Sequence, residues 1–141
     1  DDKGNAAGEM ASLGTVDLGA STIAITAGGK HTCAILAGGG VKCWGRGLYG
    51  RLGYDSSDNK GGAVGEMAGL VTINLGAGAI AITAGGEHTC AILDGGGLKC
   101  WGRGDYGKLG YDSTDNKGIA AGDMAGLGTV NLGTSAIAIT A

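Results

Sequence analysis

The sequence repeats itself with a period of 57 residues, and this repeat limits the folds open to the chain more than any other feature. Cys33 recurs as Cys90 and Trp44 as Trp101, and residues 28–57 differ from residues 85–114 at only six of 30 positions. A methionine that directly follows an acidic residue occurs three times, at Met10, Met67 and Met124. A repeat of this length is typical of stacked supersecondary units, each of which buries its apolar surface against its neighbours.

The period divides the chain into one partial repeat and two units. Residues 1–27 form the partial repeat, residues 28–84 the first unit and residues 85–141 the second. Each unit has a core, 28–57 or 85–114, followed by a linker with strands, 58–84 or 115–141. Because the chain starts at Asp1 without a methionine or an apolar signal stretch, we expect a processed product or a piece of something longer.

Four short β-prone runs per unit predict an all-β fold. In the first repeat they are residues 14–18, 22–26, 31–36 and 41–44, and residues 70–75 and 79–83 repeat the first two. The 33 glycines indicate many tight turns, since glycine reaches positive φ without steric cost. Four strands per repeat predict tandem four-stranded antiparallel blades of a β-propeller, with about two and a half repeats present. A β-solenoid is the main alternative, although its coils are usually shorter.

Composition argues against several classes of function. The formal net charge is -3, whereas a protein that grips phosphates is normally basic, so we expect no nucleic-acid partner. The apolar runs are short, far below the roughly 18 residues that span a bilayer, so no membrane span is predicted. Serine, histidine and aspartate recur with the repeat instead of forming an asymmetric catalytic set, and we therefore predict a non-enzymatic protein without cofactors.

The repeated core resembles the repeat of the regulator of chromosome condensation family. The resemblance lies in residues 27–36 (Ala-Gly-Gly-Lys-His-Thr-Cys-Ala-Ile-Leu), in Cys43-Trp44-Gly45 and in the Leu52-Gly53 that follows, all of which recur in the second unit except that Glu87 replaces Lys30. The paired cysteines are similar to the bacterial extracellular form of the repeat. The resemblance implies a propeller, commonly of seven blades, that acts as an interaction platform at an extracellular or cell-surface location. It also marks structural anchors, at His31, Trp44, Gly45, Leu52, Gly53, His88, Trp101, Gly102, Leu109 and Gly110.

The four cysteines form two copies of Cys-x9-Cys, which favours one disulfide per unit, Cys33–Cys43 and Cys90–Cys100. The register of the hairpin decides whether these bonds can form. A three-residue loop places the cysteines opposite each other, whereas a two-residue turn at Gly38-Gly39 sends them to opposite faces. A His/Cys metal site is the rival, but the spacing does not match structural zinc, so no metal is predicted. For His31 we expect a hydrogen bond to the backbone that anchors a turn.

The linker from Asp55 to Glu66 superficially resembles a calcium loop, but its spacing favours a solvated turn held by Asp and Asn side chains. The first core has four basic and no acidic side chains between Gly28 and Tyr54, while its copy is balanced. An uncompensated basic patch of this kind suggests an interface with an acidic linker of a neighbour. Scattered solvated charge is the alternative. The interface candidates are Lys42, Arg46, Arg51, Asp55, Asp58 and Glu66.

Two functions fit these features. The first is a structural or surface-assembly scaffold that associates with copies of itself, or with the rest of a longer repeat chain, through blade edges and faces. The second is a platform that binds another surface protein or a ligand through the loops 55–68 and 112–125. An open filament-like stack and a closed ring are both compatible with the repeat.

Overall fold

The structure is a computed structural model that describes residues 2–141. It contains two three-stranded antiparallel sheets of the same design. The first sheet consists of β1 (Thr22–Ala27), β2 (His31–Leu36) and β3 (Val41–Gly45). The second sheet consists of β4 (Ala79–Ala84), β5 (His88–Leu93) and β6 (Leu98–Gly102). The only α-helix in the described residues is the single turn α1 (Asp123–Gly126), so the all-β prediction is confirmed.

The prediction of four strands per blade is wrong for the hydrogen-bonded ladders, which have three. The segments 14–18 and 70–75 are extended but do not form regular strands. Segment 70–75 lies beside β3, where the Ile73 amide donates to the Val41 carbonyl over 2.9 Å. Leu70, Ile73 and Leu75 are buried by this contact. The segment is therefore held mainly by apolar burial, which a period-2 pattern in the sequence does not distinguish from strand pairing.

The β2–β3 hairpin has a three-residue loop, and this settles the register of the cysteines. The Leu36 amide donates to the Gly40 carbonyl, and Gly38 and Gly39 both adopt positive φ between them. Cys33 consequently lies directly opposite Cys43, and Cys90 lies opposite Cys100 in the second sheet. Both predicted disulfides are present, with Cα–Cα distances of 4.1 and 4.0 Å.

The sheets follow the 57-residue period but are phased differently from the sequence units. Strand β1 lies before residue 28, where the first sequence unit begins, yet it pairs with β2, which lies after that boundary. Strands β4 and β5 pair in the same way across the boundary at residue 85. One complete sheet with its flanking extended segment therefore runs over residues 22–75, and the next over 79–132. The boundaries proposed for the sequence units themselves stay a prediction.

The linkers are ordered by carboxylates that accept backbone N–H groups. Glu66 Oε2 accepts from the amides of Gly61, Gly62 and Ala63 at 2.9–3.1 Å. Glu9 and Asp123 make the same three bonds in the other two copies of the segment. These bonds, of which that to Ala63 is the largest contributor, lower the pKa of Glu66. The acid before each methionine thus closes a turn, which explains its repetition.

Candidate functional site

The two sheets stack face to face, and the contact between them, which we call the junction, holds most of the core. In each sheet, we call the face that carries the cysteines the back face and the face that carries the tryptophan the front face. The back face of the first sheet contributes Cys33, Ile35, Val41 and Cys43, all fully buried. The front face of the second sheet contributes Ala91 and Trp101, also fully buried. Because β-strand side chains alternate between faces, Cys33 and Cys43 point to the same face as Ile35 and Val41. Their disulfide therefore links β2 to β3 within the junction.

A chain of polar groups crosses the junction. Thr89 Oγ1 donates to the Arg51 carbonyl at 2.9 Å and lies 2.8 Å from His31 Nε2. Since the single hydroxyl proton of Thr89 is used on Arg51, His31 must donate from Nε2. Trp101 Nε1 donates to the same Arg51 carbonyl over 3.1 Å. One backbone carbonyl of the first sheet's loop therefore fixes two side chains of the second sheet.

His31 differs from the sequence expectation, because its partner is the Thr89 side chain and not the backbone. Its ring packs against Gly28, where an added Cβ would lie 2.6 Å from the ring. Burial, with smaller contributions from Arg51 and His88, lowers the pKa of His31 to about 4. The imidazole is therefore neutral in the folded protein at neutral pH, so the Nε2 that donates to Thr89 carries the ring's only N–H proton.

The Arg51 guanidinium is buried and reaches across to the second sheet. Its Nε donates to the Leu48 carbonyl at 2.9 Å, and one terminal nitrogen donates to the Gly86 carbonyl at 3.1 Å. The other terminal nitrogen lies 3.6 Å from Glu87 Oε1, and Arg103 also bonds Glu87. The bond from Arg103 is the main reason that the pKa of Glu87 is lowered. Arg51 thus joins the sheets through both its backbone and its side chain.

Two further contacts complete the junction at its outer end. The Asp55 carboxylate accepts the amides of Gly122 and Met124 at 2.9 Å each, and so holds the turn that contains α1. Arg103 lies over the Tyr49 ring at 4.9 Å, within the range of a cation–π contact. Asp55 was predicted at an interface, and its carboxylate is occupied by the next repeat. Glu66 is occupied by its own turn, so these two acids do not converge on a calcium site.

The outer faces carry copies of the junction residues, and these copies are less covered. On the front face of the first sheet, Ile25 is 66% exposed and Thr32 and Trp44 are half-buried, whereas their copies Thr89 and Trp101 are 0% exposed. On the back face of the second sheet, Tyr106 is 95% exposed. His88 is half-buried there, and Lys108 and Asp112 are exposed. Each outer face therefore presents one half of the junction.

The remaining predicted residues occupy several places. Lys42 is buried and donates to the Leu18 carbonyl at 2.9 Å, as Lys99 does to Leu75. Arg46 and Asp58 are exposed. Leu52 and Leu109 are core residues. Gly45 has φ +105, and a Cβ there would lie 2.7 Å from the Lys30 carbonyl, so a side chain cannot be accommodated. Gly102 matches Gly45, while Gly53 and Gly110 have φ +77 and +81.

Sequence reasoning missed several junction residues, among them Thr89, Glu87 and Tyr49. Thr89 has a signal in hindsight, since it is a polar residue beside an apolar run in its strand and repeats Thr32. Tyr49 and its copy Tyr106 have φ of 66 and 60, which is unusual for non-glycine residues and which the sequence does not reveal. Glu87 had no such signal, because Lys30 stands at the matching position.

Two observations limit the chemistry of the described residues. Within residues 2–141, no three His, Cys, Asp or Glu side chains are grouped so as to hold a metal ion. In the same part of the chain, no helix is long and apolar enough to cross a membrane.

Comparison with known proteins identifies the repeat. The sequence model of the regulator of chromosome condensation (RCC1) repeat matches residues 23–51 and 79–108. The human E3 ubiquitin-protein ligase HERC2 is 37% identical over 99 residues, which cover 69% of this chain and 2% of HERC2. The ultraviolet-B receptor UVR8 of Arabidopsis thaliana is 32% identical over 93 residues, covering 65% of this chain and 20% of UVR8. The chain therefore spans only a small part of these relatives.

Solved structures agree on the fold. Prp20p of Saccharomyces cerevisiae superposes with a TM-score of 0.62 at 18% identity, covering 85% of this chain and 28% of Prp20p. Human WBSCR16 gives a TM-score of 0.58 at 20% identity, with coverage of 74% and 25%. The two sheets are blades of an RCC1-type β-propeller. The chain belongs to the RCC1 repeat family, and its paired cysteines form a disulfide in each repeat.

Proposed function

We propose that this chain is a non-enzymatic repeat scaffold, a structural or surface-assembly module that associates with copies of itself through its blade faces and edges. One observation carries the proposal. Several side chains of the internal junction, among them Tyr49, Thr89 and Trp101, have copies on an outer face that are less covered than the originals. Exposed apolar side chains next to unused hydrogen-bonding groups are typical of surfaces that bind protein.

Related propellers support a role in protein binding. Prp20p has described binding properties toward Gsp1p and histones. HERC2 is named as a ubiquitin ligase, but this chain spans 2% of it, so that activity is not transferred. An extracellular or cell-surface bacterial location belongs to the same proposal, since paired cysteines in disulfides suit an oxidising compartment.

The test uses the two tryptophans as reporters of the front faces. A Trp101→Phe chain keeps only Trp44, and we expect acrylamide to quench it strongly in dilute solution and less as the protein concentration rises. A Trp44→Phe chain keeps only the buried Trp101 and serves as the control, with weak quenching throughout. Quenching of Trp44 that does not change with concentration would argue against self-association through this face.

A platform that binds through the loops 55–68 and 112–125 is the second candidate. Val64 is fully exposed at the tip of the turn closed by Glu66, so a rigid loop presents an apolar side chain to solvent. The Val64→Asp variant should then lose affinity for a protein partner, while Val71→Asp, an exposed position outside the loop, should retain it. Equal binding by both variants would exclude this loop as the binding site.

A further inference from the structure

Two positions of the junction have changed together between the first repeat and the second. Glu87, which faces Arg51 across the junction, is replaced on the outer front face by Lys30. Arg51 itself is matched on the outer back face by Lys108. If the outer faces met as the inner ones do, Lys30 would face Lys108, and two like charges would repel.

The outer back face carries an acid that the inner one lacks. Asp105 stands where the first repeat has Leu48, and its carboxylate bonds Lys108 and lies 2.9 Å from Arg103 Nε. The Lys108 bond is the main reason that the pKa of Asp105 is lowered, so the acid is charged at neutral pH. One outer face thus has the cation Lys30 where the junction has Glu87. The other outer face has the acid Asp105 where the junction has Leu48, so the two changes are opposite in charge.

The other junction contacts also have matching halves on the outer faces. The back face offers His88, Tyr106 and Asp112 as the copies of His31, Tyr49 and Asp55. The front face offers their receivers: the Thr32 hydroxyl, the Arg46 guanidinium and the amides of Gly65 and Met67. Charge is complementary as well, because the front face has the exposed cations Lys30 and Arg46 while Asp105 and Asp112 lie on the back face.

We propose that the back face of the second sheet docks on the front face of the first sheet of another copy of this chain, and that the Asp105–Lys30 pair sets this register. The inference rests on the proposed self-association and adds its polarity and its contacts. Such a front-to-back contact is heterologous, so repeated docking produces a ring or a filament according to the rotation per step.

Docking requires that two terminal segments move aside. Residues 136–140 lie where β1 of an incoming copy would lie, since the Ala136 amide bonds the Gly96 carbonyl just as the Ala79 amide bonds Gly39. This segment forms no regular strand, and Ile137 is 95% exposed, while Ile139 packs against the cluster of Cys90, Cys100 and Leu109. Residues 10–17 of the incoming copy would occupy the place beside β6 that segment 127–132 of the first copy already fills. Met10 is 64% exposed, whereas Met124, its copy before segment 127–132, is buried. We therefore expect the incoming β1 to displace residues 136–140, and segment 127–132 to displace residues 10–17 of the incoming copy.

Sedimentation velocity of the full chain from about 1 µM to 1 mM tests the proposal, a range that covers weak and moderate association. Three variants take the residue at the matching position of the other repeat. Asp105→Leu leaves Lys30 facing Lys108 and should weaken association about tenfold. The double variant Asp105→Leu/Lys30→Glu places a carboxylate opposite Lys108, as Glu87 lies opposite Arg51 in the junction, and should restore it. Asp94→Ala, in the β5–β6 turn, removes an acid outside these pairs and should behave as the unmodified chain.

The outcomes separate this proposal from the general one. If the unmodified chain associates, and both Asp105→Leu and the double variant associate as tightly as it does, the front-to-back register is wrong and self-association stands. If the unmodified chain stays monomeric over the whole range, both proposals fail. Because the double variant carries the same Asp105→Leu change, its recovery also shows that a weaker single variant is not merely misfolded.

Discussion

The indole N–H of Trp101 donates to the backbone carbonyl of Arg51, which is 50 residues away in the sequence and belongs to the neighbouring sheet. The same carbonyl accepts the hydroxyl of Thr89, so two side chains of one blade depend on the backbone position of the other. Trp44, the copy of Trp101, is only half-buried. The two tryptophans therefore occupy the same position of the repeat in different environments.

The first prediction compares these tryptophans. We expect Trp101→Ala to lower the free energy of unfolding by about 3–5 kcal/mol, because a fully buried ring is lost from the core. Trp44→Ala should cost clearly less, since the ring is partly in water. Chemical denaturation followed by circular dichroism measures both. Equal losses would mean that the junction does not bury Trp101 more than the outer face buries Trp44.

The second prediction concerns Asp55 and Asp112. Asp55→Ala leaves the Gly122 and Met124 amides without their acceptor and should cost about 1 kcal/mol, as loss of an N-terminal helix cap does. The Asp112 carboxylate accepts no amide within the described residues, so Asp112→Ala should cost clearly less; both positions have φ +53, and the strain of placing alanine there is common to the two variants. A destabilisation by Asp112→Ala as large as that by Asp55→Ala would contradict this assignment.

The third prediction is a dependence of stability on pH that comes from His31. Its pKa is about 4 in the folded protein, below the value of about 6.5 expected for the unfolded chain. The unfolded chain therefore binds the proton more readily, so the contribution of His31 is complete above pH 6.5 and is lost as the pH falls toward 4. His88, whose pKa burial also lowers, contributes in the same direction.

Denaturant midpoints measured between pH 7 and pH 5 check this prediction, above the range in which most carboxylates titrate. The unmodified protein should lose stability over this interval, and His31→Gln should lose less. The His88→Gln variant is the matched comparison, because its imidazole lies on the outer face. An unchanged slope in His31→Gln would show that His31 is not held neutral by the junction.

The fourth prediction concerns the disulfides. Each closes a loop between cysteines ten positions apart, which on the loop-entropy account stabilises the fold by about 2–3 kcal/mol. Reduction should therefore lower the thermal midpoint markedly, whereas a chain with all four cysteines replaced by alanine should not respond to the reductant. A reductant effect of the same size on both chains would point to another cause.

Much of the fold could be predicted from the sequence. The β-prone runs predicted β1 to β4 to within about one residue, and the 57-residue period extends this to β5 and β6, because apolar runs and glycine-rich gaps mark strands and turns locally. The prediction of a fourth strand was wrong because burial of Leu70 and Ile73 produces the same pattern of apolar residues as strand pairing does. The register of the cysteines stayed open, since either loop length is compatible with Gly38 and Gly39, and only the backbone path decides between them.

The candidate site was less accessible to sequence reasoning. Arg51 and Asp55 were named as interface residues, but their partners Glu87 and Met124 lie 36 and 69 positions further on. Such pairs depend on how one sheet stacks on the next, which no local pattern encodes. The repeat itself was the usable signal, because a polar residue copied at each period is a candidate for contact between neighbouring repeats.

The central claim is that each blade depends on its neighbour through the junction. Hydrogen exchange in the Trp101→Phe variant tests it most directly, because the substitution lies in the second sheet and the readout is taken in the first. The account predicts that protection falls for the amides of Cys33 and Ala34 in β2 as much as for those of Cys90 and Ala91 in β5. Loss of protection confined to β5, with β2 exchanging as in the unmodified protein, would contradict it.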